Sequence, residues 1–355
     1  MLIQLRSIRR SLSRRAFFIS LVLLSFVATS CMGSSNAKDS TITIIGAGGT
    51  FPAPLYQRWF SEYNKQKPNI QVSYQAVGSG AGVEQFTTGT VDFGASDTAM
   101  KDEEIKKVKQ GVILLPMTAG SIVLAYNLPN AKSGFQLSRQ ALADIFLGKL
   151  KNWNDPAIAK LNPGVNLPNS PITVIHRSEG SGTTDVFTKF LSKISPEWKE
   201  KVGDGKSVSW VVGLGGKGND GVAAQIQQIE GAIGYVEYIY AKQTKMPTAK
   251  LENKAGKYIE PTTESATKAL DTAKLPENLR VFITDPDGEE AYSLVTYTWM
   301  MAYKKYDDAN KANTLKEVLN WALADGRKYS EELGYVPLPP DVLEKVKNAI
   351  NQIQA

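Results

Sequence analysis

Residues 177–187 read RSEGSGTTDVF, and they decide how the fold of the chain is interpreted. A β-like run at 172–176 comes directly before them, and a helical pattern over 182–194 follows. A helix start presents unpartnered backbone N–H groups and the positive end of the helix dipole, which suits a small anion. Glycine lets the backbone approach such a ligand, and serine and threonine hydroxyls add donors. The stretch therefore predicts a strand, an anion-binding loop and a helix, with Arg177 supplying a positive charge.

Two earlier stretches share this design. Residues 46–54 read GAGGTFPAP, where proline fits the first turn of a helix because its missing N–H would be unpaired there. Residues 78–82 read GSGAG and precede another helical pattern. One Gly/Ser loop is weak support for a binding site, since most such loops are only turns. Three of them, one with an arginine, favour a site for a small anion.

The rest of the chain alternates β-like and helical patterns. Such alternation predicts an α/β fold with largely parallel sheets. Two further segments have apolar residues on one helical face, at 315–323 and 342–353. The predicted strands are 42–45, 70–74, 112–115, 122–126 and 172–176, and the predicted helices lie near 52–66, 80–88, 138–148, 182–194 and 219–229.

Known nucleotide-binding loops are absent from the sequence. The glycine pair at 46 and 48 has Phe51 where the dinucleotide-binding pattern requires glycine. A Walker A loop ending at 205–207 would need glycine at the position of Glu200. We therefore expect no nucleotide cofactor.

Six strings along the chain carry a family resemblance. The chain resembles the phosphate-binding proteins of the Pst phosphate ABC importer, in the periplasmic substrate-binding protein superfamily. The resemblance runs from about residue 41 to the C-terminus. It implies a type II two-lobed α/β fold, each lobe a mostly parallel sheet flanked by helices, with the ligand in the cleft between the lobes. The strings are GAGGTFPAP (46–54), VGSGAGVEQ (77–85), VDFGASD (91–97), RSEGSGTTDVF (177–187), VGLGGKGNDGVAA (212–224) and GAIGYVEYIYAKQ (231–243).

The resemblance also implies which residues contact the ligand. One lobe, 41–119 with 285–355, would supply four contacts, and the other, 120–284, would supply the remaining four. Phe51 would use its backbone N–H. The implied contacts are Thr50, Phe51, Ser79 and Asp97 in the first lobe, and Arg177, Ser181, Gly182 and Thr183 in the second.

Glu179 departs from the family pattern, which has aspartate two places after the arginine. A carboxylate at this place can pair with Arg177 and fix its guanidinium. Glutamate is one methylene longer, so we expect the pairing and leave its geometry open.

Asp97 indicates which oxyanion the site would select. A carboxylate repels an anion in a desolvated site unless the ligand donates a proton to it. Monobasic and dibasic phosphate carry such a proton, whereas sulfate at neutral pH has none and would leave a buried acceptor unpaired. Asp97 therefore predicts selection of phosphate over sulfate.

The N-terminal 30 residues have the pattern of a signal peptide. Five of the 41 basic residues are arginines there, no acidic residue accompanies them, and an apolar run too short to span a bilayer follows. The remainder is close to neutral, so we expect no nucleic-acid partner. Cys31, the only cysteine, follows small residues as in a bacterial lipobox, and 31–40 would be a lipidated tether. Both Sec and twin-arginine export fit the leader.

Three other functions are alternatives for this chain: an enzyme, an adhesin or signalling lipoprotein, and a receptor for another oxyanion. The single histidine, His176, could pair with Ser181, but no third catalytic group is indicated, and no metal cluster is recognisable. We therefore expect no catalysis and no metal. The predicted partners are inorganic phosphate, the permease and ATPase subunits of an importer, and the membrane through a lipid anchor. The protein is predicted to act as a monomer in the periplasm or at the outer face of the cytoplasmic membrane.

Overall fold

A computed structural model of the chain describes residues 41–129 and 133–355. The predicted signal peptide (1–30), the tether (31–40) and Cys31 lie outside the described residues. Across the described ranges, none of the helices combines the length and hydrophobicity that a bilayer crossing requires.

Helices and strands alternate along most of the described chain. The strands are β1 (Ile42–Gly48), β2 (Ile70–Ala76), β3 (Phe93–Ser96), β4 (Val112–Tyr126), β5 (Gln136–Leu137), β6 (Thr173–Arg177), β7 (Leu214–Gly216), β8 (Ala232–Glu237), β9 (Lys250–Glu252), β10 (Tyr258–Ile259) and β11 (Val295–Tyr303). The helices are α1 (Ala53–Gln66), α2 (Ser79–Thr87), α3 (Asp102–Ile105), α4 (Arg139–Phe146), α5 (Pro156–Ala159), α6 (Gly182–Ile194), α7 (Pro196–Lys201), α8 (Gly218–Gln228), α9 (Tyr238–Gln243), α10 (Thr263–Asp271), α11 (Ala309–Leu323), α12 (Arg327–Leu333) and α13 (Pro340–Ile350).

The main sheet has eight strands in the order β2-β1-β3-β11-β4-β8-β6-β7. The strands β2-β1-β3 are parallel, and so are β8-β6-β7. The antiparallel strands β11 and β4 join these two groups. A smaller sheet has the order β10-β9-β5. The predicted α/β fold with mostly parallel pairing is confirmed, whereas the lobe boundaries at 119/120 and 284/285 stay a prediction.

Strand β4 connects the two parallel groups. Its residues 112–121 pair with β11 and its residues 122–126 pair with β8. The sequence predicted two short strands here, 112–115 and 122–126, whereas the structure has one. Pro116, which cannot donate to a sheet ladder, lies within it. The register shifts between Thr298 and Trp299, where Trp299 lies opposite Pro116. This irregularity lets the strand continue, and all 15 of its residues are buried.

The two amphipathic patterns near the C-terminus form the helices that they predict. In α11, the apolar face from Leu315 to Leu323 is buried, and in α13 the face from Val342 to Ile350 is buried. Both helices belong to the same apolar core as the β1–α1 unit. Helix α11 packs against β1, and helix α13 packs against β4.

The loops at one end of the parallel strands contain the residues singled out in the sequence. The three predicted anion-binding stretches follow the carboxyl ends of β1, β2 and β6, and Asp97 follows β3 directly. In open α/β sheets, ligands bind outside the carboxyl ends of the strands. The fold therefore places the candidate site between the two parallel groups.

Candidate functional site

The loop after β1 is held by hydrogen bonds to its backbone. The Tyr240 hydroxyl donates to the carbonyl of Thr50 at 2.6 Å, and the Tyr335 hydroxyl donates to that of Phe51 at 2.6 Å. The Phe51 ring is fully buried and packs near Gly120. The side chain of Phe51 thus belongs to the core, which is compatible with the predicted use of its backbone N–H.

The loop after β2 contacts the loop after β6. Gly78 has a φ of 93°, a conformation that favours glycine, and Ser79 begins α2 behind it. The N–H of Gly80 donates to the carbonyl of Gly180 at 2.9 Å. A side chain at Gly80 would also meet the backbone of Gly180 at 3.1 Å. Glycine at 80 and 180 therefore permits the two loops to approach closely.

Asp97 lies at the centre of a cluster of hydroxyl groups and is only 1 % exposed. Thr298 donates to Oδ1 at 3.1 Å, and Ser79 donates to Oδ2 at 3.3 Å. Thr183, from the loop after β6, lies 3.4 Å from the same Oδ2. The loop after β1 also reaches this cluster, since a Cβ at Gly49 would lie 2.7 Å from Oδ1. The carboxylate is thus surrounded by elements from both parallel groups.

Burial raises the pKa of Asp97 from its ordinary value of 3.8 to about 6. The Arg177 charge and the hydrogen bonds from Thr298, Ser79 and Thr183 oppose this rise. Above about pH 6, Asp97 is therefore a buried, ionised acceptor whose charge the protein tolerates at a cost.

This raised pKa predicts a pH-dependent loss of stability. The unfolded state loses the proton near pH 4, while the folded, ligand-free state keeps it to about pH 6. Asp97 therefore makes its full contribution to folding stability below pH 4, and this contribution is lost as pH rises through 6. The unfolding free energy of the ligand-free Asp97→Asn variant, minus that of wild type, should therefore rise by about 3 kcal/mol between pH 4 and pH 7.5. Urea unfolding of both proteins at several pH values measures this difference, and a constant difference would contradict it.

Helix α6 begins inside the third loop. Ser181 caps the helix, because its hydroxyl accepts from the N–H of Thr184 at 3.1 Å. The N–H groups of Gly182 and Thr183 occupy the first two helical positions, where no intrahelical partner exists. These two N–H groups can therefore donate hydrogen bonds to an anion, and the helix dipole favours its negative charge.

Arg177 ends β6 and is 3 % exposed. Its Nε donates to Glu179 Oε1 at 2.9 Å, and Nη2 donates to the same oxygen. Its Nη1 donates to Thr183 Oγ1 at 3.2 Å. The expected pairing with Glu179 is present, and both nitrogens share one carboxylate oxygen. The guanidinium is thereby fixed in orientation with Nη1 directed toward the Asp97 cluster.

Glu179 is itself held from a further loop. The N–H of Gly218 lies 3.1 Å from Oε1 and 3.2 Å from Oε2. Burial penalises the carboxylate, but the charge and hydrogen bonds of Arg177, with the Gly218 N–H, lower the pKa of Glu179 overall. Glu179 is therefore ionised at neutral pH, and it connects the start of α8 to the arginine.

Sequence reasoning missed several residues around this cluster. Thr296 and Thr298 come from β11, where Thr296 donates to the Asp97 carbonyl at 3.0 Å. Asn219 contacts Thr50, and Tyr235 accepts from the N–H of Arg177 at 3.1 Å. Asn219 and Tyr235 lie in the strings at 212–224 and 231–243, but the sequence predicted no contact for either residue. Thr296 and Thr298 had no local signal.

Glu237 is a second fully buried carboxyl beside the site. Its Oε2 accepts from the N–H of Ile239 at 2.9 Å, which caps α9. Burial, followed by the charge of Asp97, raises the pKa of Glu237 well above its usual range, although the Ile239 N–H opposes this. This shift favours the neutral form, so Glu237 adds little negative charge to the cluster.

His176 and Ser181 each make contacts with other groups. The His176 ring stacks on Trp210 with centroids 4.6 Å apart, and its Nδ1 lies 3.0 Å from the carbonyl of Arg177. The Ser181 hydroxyl is engaged as a helix cap. Within residues 41–129 and 133–355, no group of three or more His, Cys, Asp or Glu side chains could hold a metal ion.

Comparison with known proteins shows the same fold and family. The profile of the PBP superfamily domain matches residues 34–326. Among solved structures, an ancestral soluble variant of the human phosphate-binding protein superposes with a TM-score of 0.71, at 19% identity, covering 88% of this chain and 99% of that one. The phosphate-binding protein of Stenotrophomonas maltophilia gives 0.68 at 18% identity, covering 86% and 93%. At these identities the likeness shows the two-lobed fold class.

Curated relatives are much more similar in sequence. The phosphate-binding protein PstS of Pasteurella multocida is 42% identical over 339 residues, covering 95% of each chain. That of Haemophilus influenzae is 44% identical over 309 residues, covering 86% of this chain and 92% of its own. That of Methanocaldococcus jannaschii is 40% identical over 347 residues, covering 90% and 89%. The resemblance inferred from the six sequence strings is therefore confirmed, and the chain belongs to the PstS family of phosphate-binding proteins.

Proposed function

We propose that the chain binds inorganic phosphate and delivers it to the permease of an ABC importer. The observation that carries the proposal is the convergence of a buried cation and a buried acceptor. Arg177 donates to Thr183 at 3.2 Å, and Thr183 lies 3.4 Å from Asp97. A ligand that interacts with both needs an acceptor for Arg177 and a proton for Asp97, and a protonated phosphate anion supplies both. Its curated relatives are named phosphate-binding proteins.

Charge accounts for the proposed choice of ligand. Arg177 would offset part of the anionic charge, and the free N–H groups at the start of α6 would offset more by their dipoles. Asp97 would accept the ligand proton. Sulfate, which has no proton at neutral pH, would leave two negative groups in contact in a buried site.

Closure of two lobes on the ligand is the proposed conformational change. In the structure the predicted lobes already contact each other at the site, through the Gly80–Gly180 hydrogen bond and the Thr183–Asp97 contact. Farther out, Lys206 pairs with Glu104 at 3.0 Å, again between residues of the two predicted lobes. Phosphate bound to one lobe would gain contacts from the other only on closure, which favours the closed state.

Gly182→Ala should weaken phosphate binding by about 100-fold. A Cβ at 182 would lie 2.6 Å from Ser79 Oγ and 2.8 Å from Asp97 Cβ, so the two sides could not approach. Calorimetric titration with phosphate measures the loss. The matched control is Gly205→Ala, whose Cβ would meet only Ser207, at 3.4 Å. Equal affinities of the two variants would contradict the proposed close contact.

The remaining parts of the proposed role concern transport and location. The sequence has no ATPase motif, so separate permease and ATPase subunits would drive import, while this chain binds without catalysis as a monomer.

Acylation of Cys31 would attach the protein to the membrane in the periplasm or at the outer face of the cytoplasmic membrane. A Cys31→Ser variant should leave the membrane fraction, and its retention there would refute the lipid anchor.

Titration of the purified, phosphate-free protein with phosphate and with sulfate tests the proposal. We expect one phosphate to bind per chain and sulfate to give no heat. Binding of both would keep the oxyanion site and refute the role given to Asp97. Binding of neither would refute the proposed function and favour an adhesin or signalling role.

A further inference from the structure

The first turn of helix α8 contains a buried side chain to which the proposed phosphate site assigns no role. Asn219 is the second residue of α8 and is fully buried. Its Oδ1 accepts from the backbone N–H of Glu237 at 2.9 Å. Since the amide oxygen is bound to that donor, the other atom of the amide is the nitrogen, Nδ2. The side chain of Asn219 therefore acts as a donor at its free end.

That donor end contacts Thr50. Nδ2 lies 2.8 Å from Thr50 Oγ1, and the backbone N–H of Asn219 lies 3.1 Å from the same oxygen. A hydroxyl has two acceptor lone pairs and one proton. Both lone pairs of the Thr50 hydroxyl are used by Asn219. The hydroxyl can consequently interact with a third group only by donating its proton.

We propose that Asn219 is a positioning residue that restricts the Thr50 hydroxyl to donating toward the bound anion. This inference rests on the proposed phosphate site. A hydroxyl whose lone pairs are both used cannot accept a hydrogen bond from a protonated ligand oxygen. The protonated oxygen of the ligand must therefore face Asp97. Recognition of the proton state would then need two residues, Asp97 that accepts a proton and Thr50 that cannot.

The neighbouring residue in the turn supports a role in positioning. Gly218 has a φ of 74°, and its N–H binds both oxygens of Glu179. A Cβ at 218 would lie 3.3 Å from Thr50 Cγ2. Two consecutive residues thus fix a hydroxyl on one side of the site and, through Glu179, the guanidinium of Arg177 on the other.

A double-mutant cycle between Asn219→Asp and Thr50→Val tests the proposal. Ionised aspartate has the shape of asparagine but can only accept, so the Thr50 proton would turn away from the ligand. We expect Asn219→Asp to weaken phosphate binding at least about 30-fold with Thr50 present, and about fivefold or less in the Thr50→Val background. Equal losses in both backgrounds would mean that the added charge alone acts, and they would overturn the proposal.

A pH profile provides an independent readout with a second variant. Asn219→Leu frees one lone pair of Thr50, which could then accept a second ligand proton. The ratio of phosphate affinity at pH 5.5 to that at pH 8 should therefore rise at least about threefold over the wild-type ratio. A purely structural role for Asn219 would lower both affinities and leave the ratio unchanged, which would overturn the proposal even if Asn219→Asp failed to fold.

Asn162→Asp is the matched control. Asn162 is also buried, and its Oδ1 also accepts a backbone N–H, that of Gln136 at 2.7 Å, while its Nδ2 donates to protein carbonyls. Its variant should lose stability yet bind phosphate within about twofold of wild type. A wild-type protein that binds no phosphate would refute the proposed function. If the wild type binds phosphate but the effects of Asn219→Asp and Thr50→Val are additive, the role of Asn219 is refuted and the proposed function stands.

Discussion

Phosphate affinity should fall about 100-fold in an Arg177→Ala variant, because truncating one partner of a buried, hydrogen-bonded charge pair weakens binding by about 2–5 kcal/mol. The loss is expected to be this large because Arg177 is almost fully buried and its positive charge acts on Asp97. Its removal also leaves Glu179 without its charged partner. Calorimetric titration of the purified variant with phosphate measures the effect.

Two further variants separate the geometry of Arg177 from its charge. Arg177→Lys keeps the charge but loses the fixed array of donors to Glu179 and Thr183, so we expect intermediate affinity. Arg58→Ala removes one positive charge from a half-exposed pair with Glu62 on α1 and should leave the affinity unchanged. Wild-type affinity in Arg177→Ala would refute the assignment of the site.

The second large effect is expected on selectivity. Asp97→Asn should lower the ratio of phosphate to sulfate affinity at least about 100-fold, since repulsion by a desolvated carboxylate is worth several kcal/mol. Asparagine carries no charge, and its amide can donate to an unprotonated oxygen of sulfate. Paired titrations with the two anions at pH 7.5, above the Asp97 pKa of about 6, give the ratio.

Thr298→Val is the matched comparison for this result. It removes the hydroxyl that donates to Asp97 Oδ1 at 3.1 Å but keeps the carboxylate. Phosphate binding should weaken while sulfate remains excluded, because the carboxylate charge is the source of the exclusion. If Asp97→Asn still rejected sulfate, selection would have to come from the shape of the site and not from the ligand proton.

Local sequence patterns predicted much of the fold. The glycine-rich loops and the helices that follow them depend on neighbouring residues, and all three stretches form the expected strand, loop and helix. The apolar faces of α11 and α13 were also recognisable, because helical periodicity is a local signal. The structure brings these loops together, as the family resemblance implied, and the ligand contacts themselves stay a prediction.

What the sequence did not reveal depends on contacts between distant segments. Thr298 faces Asp97 only because β11 pairs with β3, and nothing in the residues around 298 indicates this pairing. Asn219 lies at the start of α8, where the sequence predicted a helix but no role for its side chain. Its contact with Thr50 depends on the loop after β1, and the orientation of its amide depends on the N–H of Glu237 in β8. Such roles follow from tertiary packing rather than from composition or spacing.

The position of β11 in the sheet sets the order in which the fold can be completed. This strand lies between β3 and β4, but it occurs near the other end of the chain, at Val295–Tyr303. Pairings between distant segments form slowly, because a long loop must close before they contribute. During synthesis the edges of β3 and β4 remain unpaired until β11 has emerged, and exposed edges readily pair with other chains. A protein of this design therefore depends on a late strand, β11, to protect the edges of earlier strands from aggregation.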